Sequence, residues 1–539
     1  MSTTPGSPEY LDGTGPGGSA HAADHGPDNR KRLVALGALV AGGAVVAGGA
    51  WAATSFFASG AQPAEALPDS TVAYFSVDLD PSGGQKIEAI KTLRKFPAFT
   101  DKINLDTDDD LRERFFEEIV KAGECKGLDY AEDVKPWVGS RAAMAAVDLG
   151  DDEPAVVGVV QVSDAGKAED GMASLVETCG GTSGEDTSEG GGWVVDGDWM
   201  VIAETEEIAQ QVVDATDGAS LAGDAAFDQW TGEAGDEGFM SFYVAKAAAQ
   251  YLDDAAGMGS MLGYMPPEGG EEVPDQLQGL IDEFDGAAAT VRFDDGAVEV
   301  EYAMSNYQKD LTALIDSETG VDMVAGLPED TLAAFGFSLQ EGWADAMLDY
   351  VKDAVPDEAA AIDDQLAQFE SETGVAFPED IETLLGEGVT VSVGSGIDPD
   401  AITNGGPGEV PAGIRIKGDA DEIQAVLDKI AAQSPPEMAE FMKVTEGDGY
   451  AVLALQDDYR GKLESGGDLG GTDDYTKVVE SDEAQSVLYV NFDADDDWLV
   501  RVTEDIPEVS ENVAPLSAFG VSGWVDGDVV HGMLKLTTD

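Results

Sequence analysis

The sequence predicts an α+β protein with one N-terminal transmembrane helix, followed by two tandem repeated α+β units with mainly antiparallel sheet. Three observations support this prediction. Residues 33–58 form an apolar run without a charged residue. A series of landmarks occurs twice along the rest of the chain, in the same order. Four Asp-Gly pairs stand next to apolar strand-like runs, the pattern of a tight β-hairpin.

The chain begins with a segment that has no apolar periodicity. Residues 1–32 are rich in Gly, Pro, Ser and Asp. A segment of this composition cannot bury enough apolar surface to offset its loss of conformational entropy. We therefore predict a disordered cytosolic tail over residues 1–32.

A predicted signal-anchor helix follows at residues 33–58. A bilayer core requires about 20 apolar residues, and Arg30, Lys31 and Arg32 stand directly before the run. Basic residues on the N-terminal flank keep that side in the cytoplasm, so the bulk of the chain is expected to be extracytoplasmic. The alternative is a cleaved signal peptide cut near residues 58–61. The length of the run favours an anchor, because signal peptides usually carry only about 7–15 apolar residues.

The internal repeat is visible in short matched segments. Leu67–Thr71 (LPDST) corresponds to Leu327–Thr331 (LPEDT), and Gly127–Val134 (GLDYAEDV) corresponds to Gly374–Ile381 (GVAFPEDI). The Asp-Gly pairs at 196–197 and 295–296 match those at 448–449 and 526–527. Matched landmarks in one order indicate a duplicated unit. We predict units at residues 67–305 and 327–539, joined by a connector at 306–326.

Each unit is expected to mix strands and helices. Apolar alternation and helical periodicity give the following elements: strands 72–79, 141–148 and 155–162 with helices 83–95, 109–122 and 167–178 in the first unit, and strands 388–394 and 412–416 with helix 420–432 in the second. Segments rich in Gly, Ser and acidic residues at 180–192, 257–272 and 465–474 are predicted to be mobile loops.

The charge balance is strongly acidic. The chain has 108 Asp and Glu against 28 Lys and Arg, a formal net charge of −80. Nucleic-acid binding depends on clustered basic residues that neutralise phosphates, so that function is excluded. Docking onto anionic lipid is equally disfavoured. Cations and basic partners are attracted instead, although acidity can also serve solubility alone.

Six aspartates resemble parts of calcium-binding loops. Asp106, Asp108 and Asp110, and also Asp493, Asp495 and Asp497, have the spacing of positions 1, 3 and 5 of an EF-hand, with a Glu at position 12 of each. The sharp turn requires Gly at position 6, where this chain has Leu111 and Trp498. The strict motif is therefore not predicted. The six residues are candidates for weak, irregular calcium sites, and helix capping or solvated charge is the alternative.

Residues for His-based catalysis are scarce. His21 and His25 lie in the N-terminal tail, and His531 is the remaining histidine. A His-based zinc site needs two or three ligands, and a Ser-His-Asp triad would have to use His531, which lies in a predicted strand at 529–536. Thr71 and Thr331 recur in both units as strand starts. We predict no catalytic and no cofactor-binding residue.

Two cysteines form a disulfide candidate. An extracytoplasmic location permits a bridge between Cys125 and Cys179. Closing a loop of about 54 residues would stabilise the fold by roughly 3–4 kcal/mol. The alternative is two free thiols.

Several segments resemble an actinobacterial family catalogued as domain of unknown function 3352. They are Gln62–Pro68 (QPAEALP), Tyr74–Pro81 (YFSVDLDP), Gly84–Ala89 (GQKIEA), Leu93–Pro97 (LRKFP), Asp133–Gly139 (DVKPWVG) and Asp330–Gly336 (DTLAAFG). The resemblance covers most of residues 60–539. It implies a membrane-anchored envelope protein of a high-GC Gram-positive bacterium. It implies no activity and transfers no functional residues.

Three hypotheses on function follow from these observations. The first is a non-enzymatic, membrane-tethered envelope protein with a binding or structural role toward cations, a cell-wall polymer or a basic protein partner. The second is a carboxylate-based hydrolase of envelope glycans, which requires two carboxyl groups about 5–10 Å apart across a groove. The third is a binding module for an apolar ligand held between sheet and helices.

Overall fold

A computed structural model gives the fold of most of the chain after the apolar run. It describes residues 61–78, 84–102, 110, 112–113, 116, 128–179, 191–236, 238–254, 283–294, 296–306, 312, 314–315, 319–354, 359–397, 406–435, 439, 441–480 and 484–539. The predicted tail, anchor and helix 109–122 lie wholly or mostly outside these residues. Within them, no helix is both long enough and apolar enough to span a membrane.

A single antiparallel sheet contains all sixteen named strands of the described residues. The strands are β1 (Thr71–Asp78), β2 (Val138–Val147), β3 (Ala155–Val162), β4 (Gly192–Asp196), β5 (Trp199–Ala203), β6 (Met240–Ala245), β7 (Gly286–Asp294), β8 (Ala297–Ser305), β9 (Thr331–Ser338), β10 (Gly388–Gly394), β11 (Ala412–Ile416), β12 (Thr445–Gly447), β13 (Tyr450–Ala454), β14 (Ser486–Asn491), β15 (Leu516–Asp526) and β16 (Val529–Thr538).

Helices occur between the strands of both halves. They are α1 (Gly84–Leu93), α2 (Pro97–Lys102), α3 (Ala165–Cys179), α4 (Glu206–Thr216), α5 (Ala225–Glu233), α6 (Thr319–Ala325), α7 (Trp343–Ala354), α8 (Ala359–Thr373), α9 (Glu379–Leu385), α10 (Ala420–Ala431), α11 (Asp457–Ser465), α12 (Asp473–Val478), α13 (Ala494–Val502) and α14 (Pro507–Val513). The prediction of a mixed fold with mainly antiparallel sheet is confirmed. Strands 155–162, 388–394 and 412–416 have the predicted bounds.

The strand order is the same when it is read inward from either edge of the sheet. From one edge it runs β4, β5, β3, β2, β1, β6, β7, β8, and from the other β12, β13, β11, β10, β9, β14, β15, β16. The two halves meet where β8 pairs antiparallel with β16, with Glu301 opposite Met533. We call this pairing the seam. Both halves therefore belong to one continuous sheet.

The Asp-Gly pairs at 196–197, 448–449 and 526–527 lie at hairpins, as expected, and Asp295 of the fourth pair lies outside the described residues. At Asp448-Gly449 both residues have positive φ, 52° and 81°, as a type I′ turn requires. In the β4–β5 hairpin, however, Asp196 still pairs with Trp199, so the turn is formed by Gly197 and the next residue. In the β15–β16 hairpin Asp526 likewise pairs with Val529, so the Asp of both pairs belongs to the strand and the Gly to the turn.

The prediction of a mobile loop over residues 465–474 was wrong. Leu469 is fully buried, and its backbone N–H donates to the carbonyl oxygen of Leu327 at 3.0 Å. In the first half, the backbone N–H of buried Leu221 donates in the same way to the carbonyl oxygen of Leu67 at 2.7 Å. The apolar leucine inside the Gly-rich segment holds it against the core.

The two faces of the sheet differ in burial. We call the face that carries Tyr74, Ala303 and Tyr489 the covered face, because α4, α5, α6, α11 and α12 pack on it. The opposite face, which carries Phe75, Val300 and Phe335, is called the open face. Successive strand residues alternate between the faces. In β10, for example, Thr390 and Ser392 on the covered face are 0% and 1% exposed, whereas Val391 on the open face is 44% exposed.

Side chains of the covered face occupy corresponding positions in the two halves. Phe227 of α5 makes an edge contact with Tyr243 of β6, with ring centroids 5.0 Å apart. Tyr475 of α12 contacts Tyr489 of β14 with centroids 5.2 Å apart. Each half thus packs one helical aromatic ring on one strand tyrosine at the centre of its core.

Thr71 and Thr331 are structural residues, as predicted. The hydroxyl of each is buried and donates to a proline carbonyl oxygen three residues earlier, Pro68 and Pro328, at 2.7 Å. These bonds turn the chain into β1 and β9.

Replacing Thr331 by valine should lower the free energy of unfolding by about 1–1.5 kcal/mol, because a buried hydrogen bond is lost without a change of shape. Urea unfolding followed by circular dichroism measures this. Thr383→Val is the matched control, since the Thr383 hydroxyl bonds to the Glu379 carbonyl oxygen at an exposed position. Equal effects of the two substitutions would contradict the assigned role of Thr331.

Candidate functional site: an apolar open face opposite a charged seam

The open face is apolar across the ten central strands, from β2 to β10. Strand registers place no charged side chain on this face of these strands, and Tyr302, Ser486 and Thr538 carry hydroxyls there. The part of this face in the second half is called the floor. It is formed by Val389, Val391, Val393, Ala333, Phe335, Phe337, Leu488, Val490, Phe519 and Val521. An antiparallel sheet normally directs polar side chains to its less buried face. This sheet does the reverse.

The most exposed part of this floor lies on β9 and β10. Phe335 is 43% exposed and pairs directly with Val391, which is 44% exposed. The Phe335 and Phe337 rings lie 5.5 Å apart. In the first half, Phe75 occupies the corresponding place on β1, and its ring lies 4.8 Å from that of Phe242. Each half therefore presents a pair of aromatic rings on the open face.

Helices cover the open face at its margins. At one edge, Ile423 of α10 packs on Ile416 and Ala451. At the other edge, Ala168 of α3 belongs to a cluster with Val162 and Met200. Near the seam, α1 packs on Phe293 of β7 and Val298 of β8. In the second half α13 contacts β9, and Phe335 and Val391 remain the most exposed side chains of this face between α10 and the seam.

The opposite, covered face carries a row of charges across the seam. Glu299 of β8 accepts from Arg292 of β7 at 2.8 Å and pairs with Lys535 of β16 at 3.1 Å. Arg292 also bonds to Glu301 at 2.6 Å, and Lys535 bonds to Glu480 at 3.1 Å. The Glu299 side chain is only 6% exposed. The row is an ion-pair network that joins the two halves through the centre of the sheet.

The network keeps its two cations charged. Burial disfavours the charged guanidinium of Arg292, but the carboxylates of Glu301 and Glu299 outweigh this and raise its pKa above the ordinary value. Burial likewise opposes the charge of Lys535, and Glu299 and Glu480 raise the pKa of its ammonium group. The carboxylates of Glu299 and Glu301 therefore form ion pairs with the side chains of Arg292 and Lys535.

The predicted calcium ligands are placed as follows. Asp106 and Asp108 lie outside the described residues. Asp110 pairs with Arg112 at 2.8 Å and Lys135 at 3.3 Å and accepts from the Tyr130 hydroxyl. Burial opposes the charge of Asp110, but the bond from Arg112 lowers its pKa overall. The carboxylate of Asp110 is therefore held in ion pairs with Arg112 and Lys135.

The second set of aspartates surrounds the start of α13. Asp495 accepts from the backbone N–H groups of Gly396 and Ile397 and pairs with Arg501 at 2.7 Å. Asp493 accepts from Ser517, and burial raises its pKa. Trp498 lies inside α13, where an EF-hand would have its turn. Within the described part of the chain, no group of three or more His, Cys, Asp or Glu is arranged to hold a metal ion.

His531 is a strand residue, as predicted. It lies in β16, is 8% exposed, and stacks on Trp524 with ring planes 4° apart. Its Nε2 lies 3.8 Å from Glu233 at the end of α5. The other predicted pair, Cys125 and Cys179, is only half described, since Cys125 lies outside the described residues. The disulfide stays a prediction.

Nothing in the local sequence marks Phe335 or Val391 as exposed. The alternation was visible in Gly388–Gly394 (GVTVSVG), where Val alternates with Thr and Ser. The ordinary interpretation places the hydroxyls toward solvent. The structure buries them instead, with Ser392 accepting from the hydroxyl of buried Tyr459 at 2.9 Å.

Comparison with known proteins gives one match. The family described as "Protein of unknown function (DUF3352)" matches residues 33–393, from the predicted anchor through the first half and as far as β10. No curated protein and no solved structure matches the chain.

Proposed function

Since the chain belongs to the family of proteins of unknown function DUF3352, we propose its function from the site itself: a non-enzymatic binding protein that holds an apolar ligand on the open face. One observation carries this proposal, namely that the less buried face of the sheet is uncharged and apolar across ten strands. Contiguous exposed apolar surface on a soluble domain marks a binding site or an interface.

The energetics support a binding role. Covering a large apolar side chain completely contributes about 1.5–3 kcal/mol, and Phe335 and Val391 still expose 43% and 44% of their surface. A ligand that covers both, together with their neighbours on β9 and β10, gains most of this free energy. The charged network does not compete for such a ligand, because it lies on the other face.

The proposal includes a duplicated architecture. The two units, residues 67–305 and 327–539 with connector 306–326, descend from one ancestral unit. The support is the common strand order, the threonine turns at Thr71 and Thr331, and the aromatic pairs of each core. Each unit then offers its own part of the open face to a ligand.

The proposal also includes the location. Residues 33–58 serve as a signal anchor, the N-terminus is cytoplasmic, and the sheet stands in the cell envelope. The described fold begins at Ala61, and Ala64 is already buried in the core, so the sheet would stand close to the bilayer. The acidic surface would attract cations, a cell-wall polymer or a basic protein partner.

A glycan hydrolase is not proposed. That role needs one carboxyl group that can donate a proton and a second one free to act across a groove. The buried carboxylates of the seam, Glu299 and Glu301, are paired with Arg292 and Lys535.

The test is a titration with N-phenyl-1-naphthylamine, an uncharged dye that fluoresces in apolar sites. The full chain is kept in a fluorinated surfactant, whose tails mix poorly with hydrocarbon. Phe335→Asp should weaken dye binding at least tenfold, because a carboxylate would be buried under the ligand. Phe369→Asp is the matched control, since Phe369 on α8 is 46% exposed but lies off the sheet.

Val391→Asp and Val509→Asp form a second pair, with 44% and 41% exposure of the native side chains. Unfolding curves check that each variant is folded. Equal dye binding by the wild type and both open-face variants would overturn the proposed function.

A further inference from the structure

We propose that the occupant of the open face is an acyl chain of an uncharged lipid, lying on β10, β9, β14 and β15. This inference rests on the proposed function and adds the chemical class of the ligand. It follows from the chemistry of the floor, its width and the charge of the protein.

The floor is suited to hydrocarbon. Strands β10, β9 and β14 contribute Val, Ala, Phe and Leu side chains to its centre, and none of these side chains offers a hydrogen bond. A ligand with polar groups along its length would lose its bonds to water there without replacement. The bound part must therefore be apolar throughout.

Four strands of the floor are wide enough to hold one acyl chain. Neighbouring strands lie about 4.8 Å apart, so the axes of the first and fourth strands are about 14 Å apart. One leaflet of a bilayer core, which is about the length of one acyl chain, measures about 15 Å. A chain laid across the four strands would cover Val391, Phe335 and Leu488, which are neighbours across β10, β9 and β14.

The charge of the protein selects among apolar occupants. With a net charge of −80, a second copy of the chain is repelled from a face-to-face contact. A fatty-acid anion is repelled for the same reason. An uncharged lipid meets no such barrier, and the floor itself presents no charge that would repel it.

The experiment is displacement of N-phenyl-1-naphthylamine from the full chain by straight-chain alcohols of 6 to 14 carbons, again in fluorinated surfactant. The dissociation constant of the alcohol should fall about two- to fourfold for each added methylene. Dodecanoate should displace the dye at least threefold more weakly than dodecanol at low salt.

The controls separate this inference from the proposed function. Phe369→Asp should keep the dependence on chain length. Suppose that Phe335→Asp abolishes dye binding, but that displacement of the dye from the wild type is independent of the chain length of the alcohol. The face then binds apolar ligands, and the acyl-chain inference is wrong. Equal or stronger displacement by dodecanoate would also overturn it, because the charge argument would fail.

Discussion

Replacing Glu299 by alanine is expected to lower the free energy of unfolding by about 3–5 kcal/mol, because it leaves two cations in the sheet interior without their shared partner. Glu299 is the central member of the seam network and contacts both Arg292 and Lys535. The substitution removes the one carboxylate that joins β7, β8 and β16. Urea unfolding followed by circular dichroism measures the loss.

Glu480→Ala is the matched control for this result. Glu480 contacts the same Lys535 at the same 3.1 Å distance, but its side chain is 43% exposed. Water replaces most of such an interaction, so the expected loss is below about 1 kcal/mol. If both substitutions cost less than 1 kcal/mol, the seam is not held by a buried ion-pair network.

The substitution Gly520→Ala in β15 is also expected to lower the free energy of unfolding strongly. A Cβ atom at this position would overlap the carbonyl oxygen and carbon of Val478, where α12 lies directly on the strand. Backbone atoms cannot rotate away, so Gly520→Ala must push the helix off the sheet. We expect a loss of about 3 kcal/mol, again measured by urea unfolding.

Gly461→Ala provides the contrast. Gly461 lies within α11, and a Cβ atom there would meet no other atom within 4 Å. Alanine should raise the stability by about 0.5–1 kcal/mol, since it is the better helix former. A loss at Gly461 as large as that at Gly520 would show that the close approach of α12 to β15 is not the cause.

Local patterns predicted many elements of the fold. The run Ala412–Ile416 and the helix that begins at Ala420 were found at the predicted places, because apolar periodicity and the capping residue Asp419 specify them within a few residues. Asp-Gly pairs marked the hairpins for the same local reason. The sequence did not show that Asp196 and Asp526 belong to the strands rather than to the turns, because strand register depends on the pairing of both strands.

The site could not be predicted in the same way. Glu299 and Lys535 meet because β8 pairs with β16, a contact between residues far apart in the sequence. The open face was missed because an alternating strand does not show which of its sides the helices cover. Thr390 and Ser392 suggested a solvent-facing side, yet they lie in the core, and Val391 between them is exposed.

The distribution of polarity over the two faces is therefore the reverse of that in an ordinary antiparallel sheet. Charged and hydroxyl-bearing side chains such as Arg292, Glu299 and Thr390 lie on the covered face, whereas Phe335 and Val391 lie on the open face. A charged group in a core is tolerated when it is paired. An apolar face beside water is costly unless something covers it, which is why we assign binding to that face.

Hydroxyl-radical footprinting of the full chain, with and without N-phenyl-1-naphthylamine, tests this assignment most directly. Radicals oxidise accessible Phe and Val side chains, and mass spectrometry locates the oxidised peptides. We expect the dye to protect the peptides that contain Phe335 and Val391 and to leave those with Phe369 and Val509 unchanged. Unchanged oxidation at Phe335 and Val391 with saturating dye, or protection only at Phe369 and Val509, would contradict it.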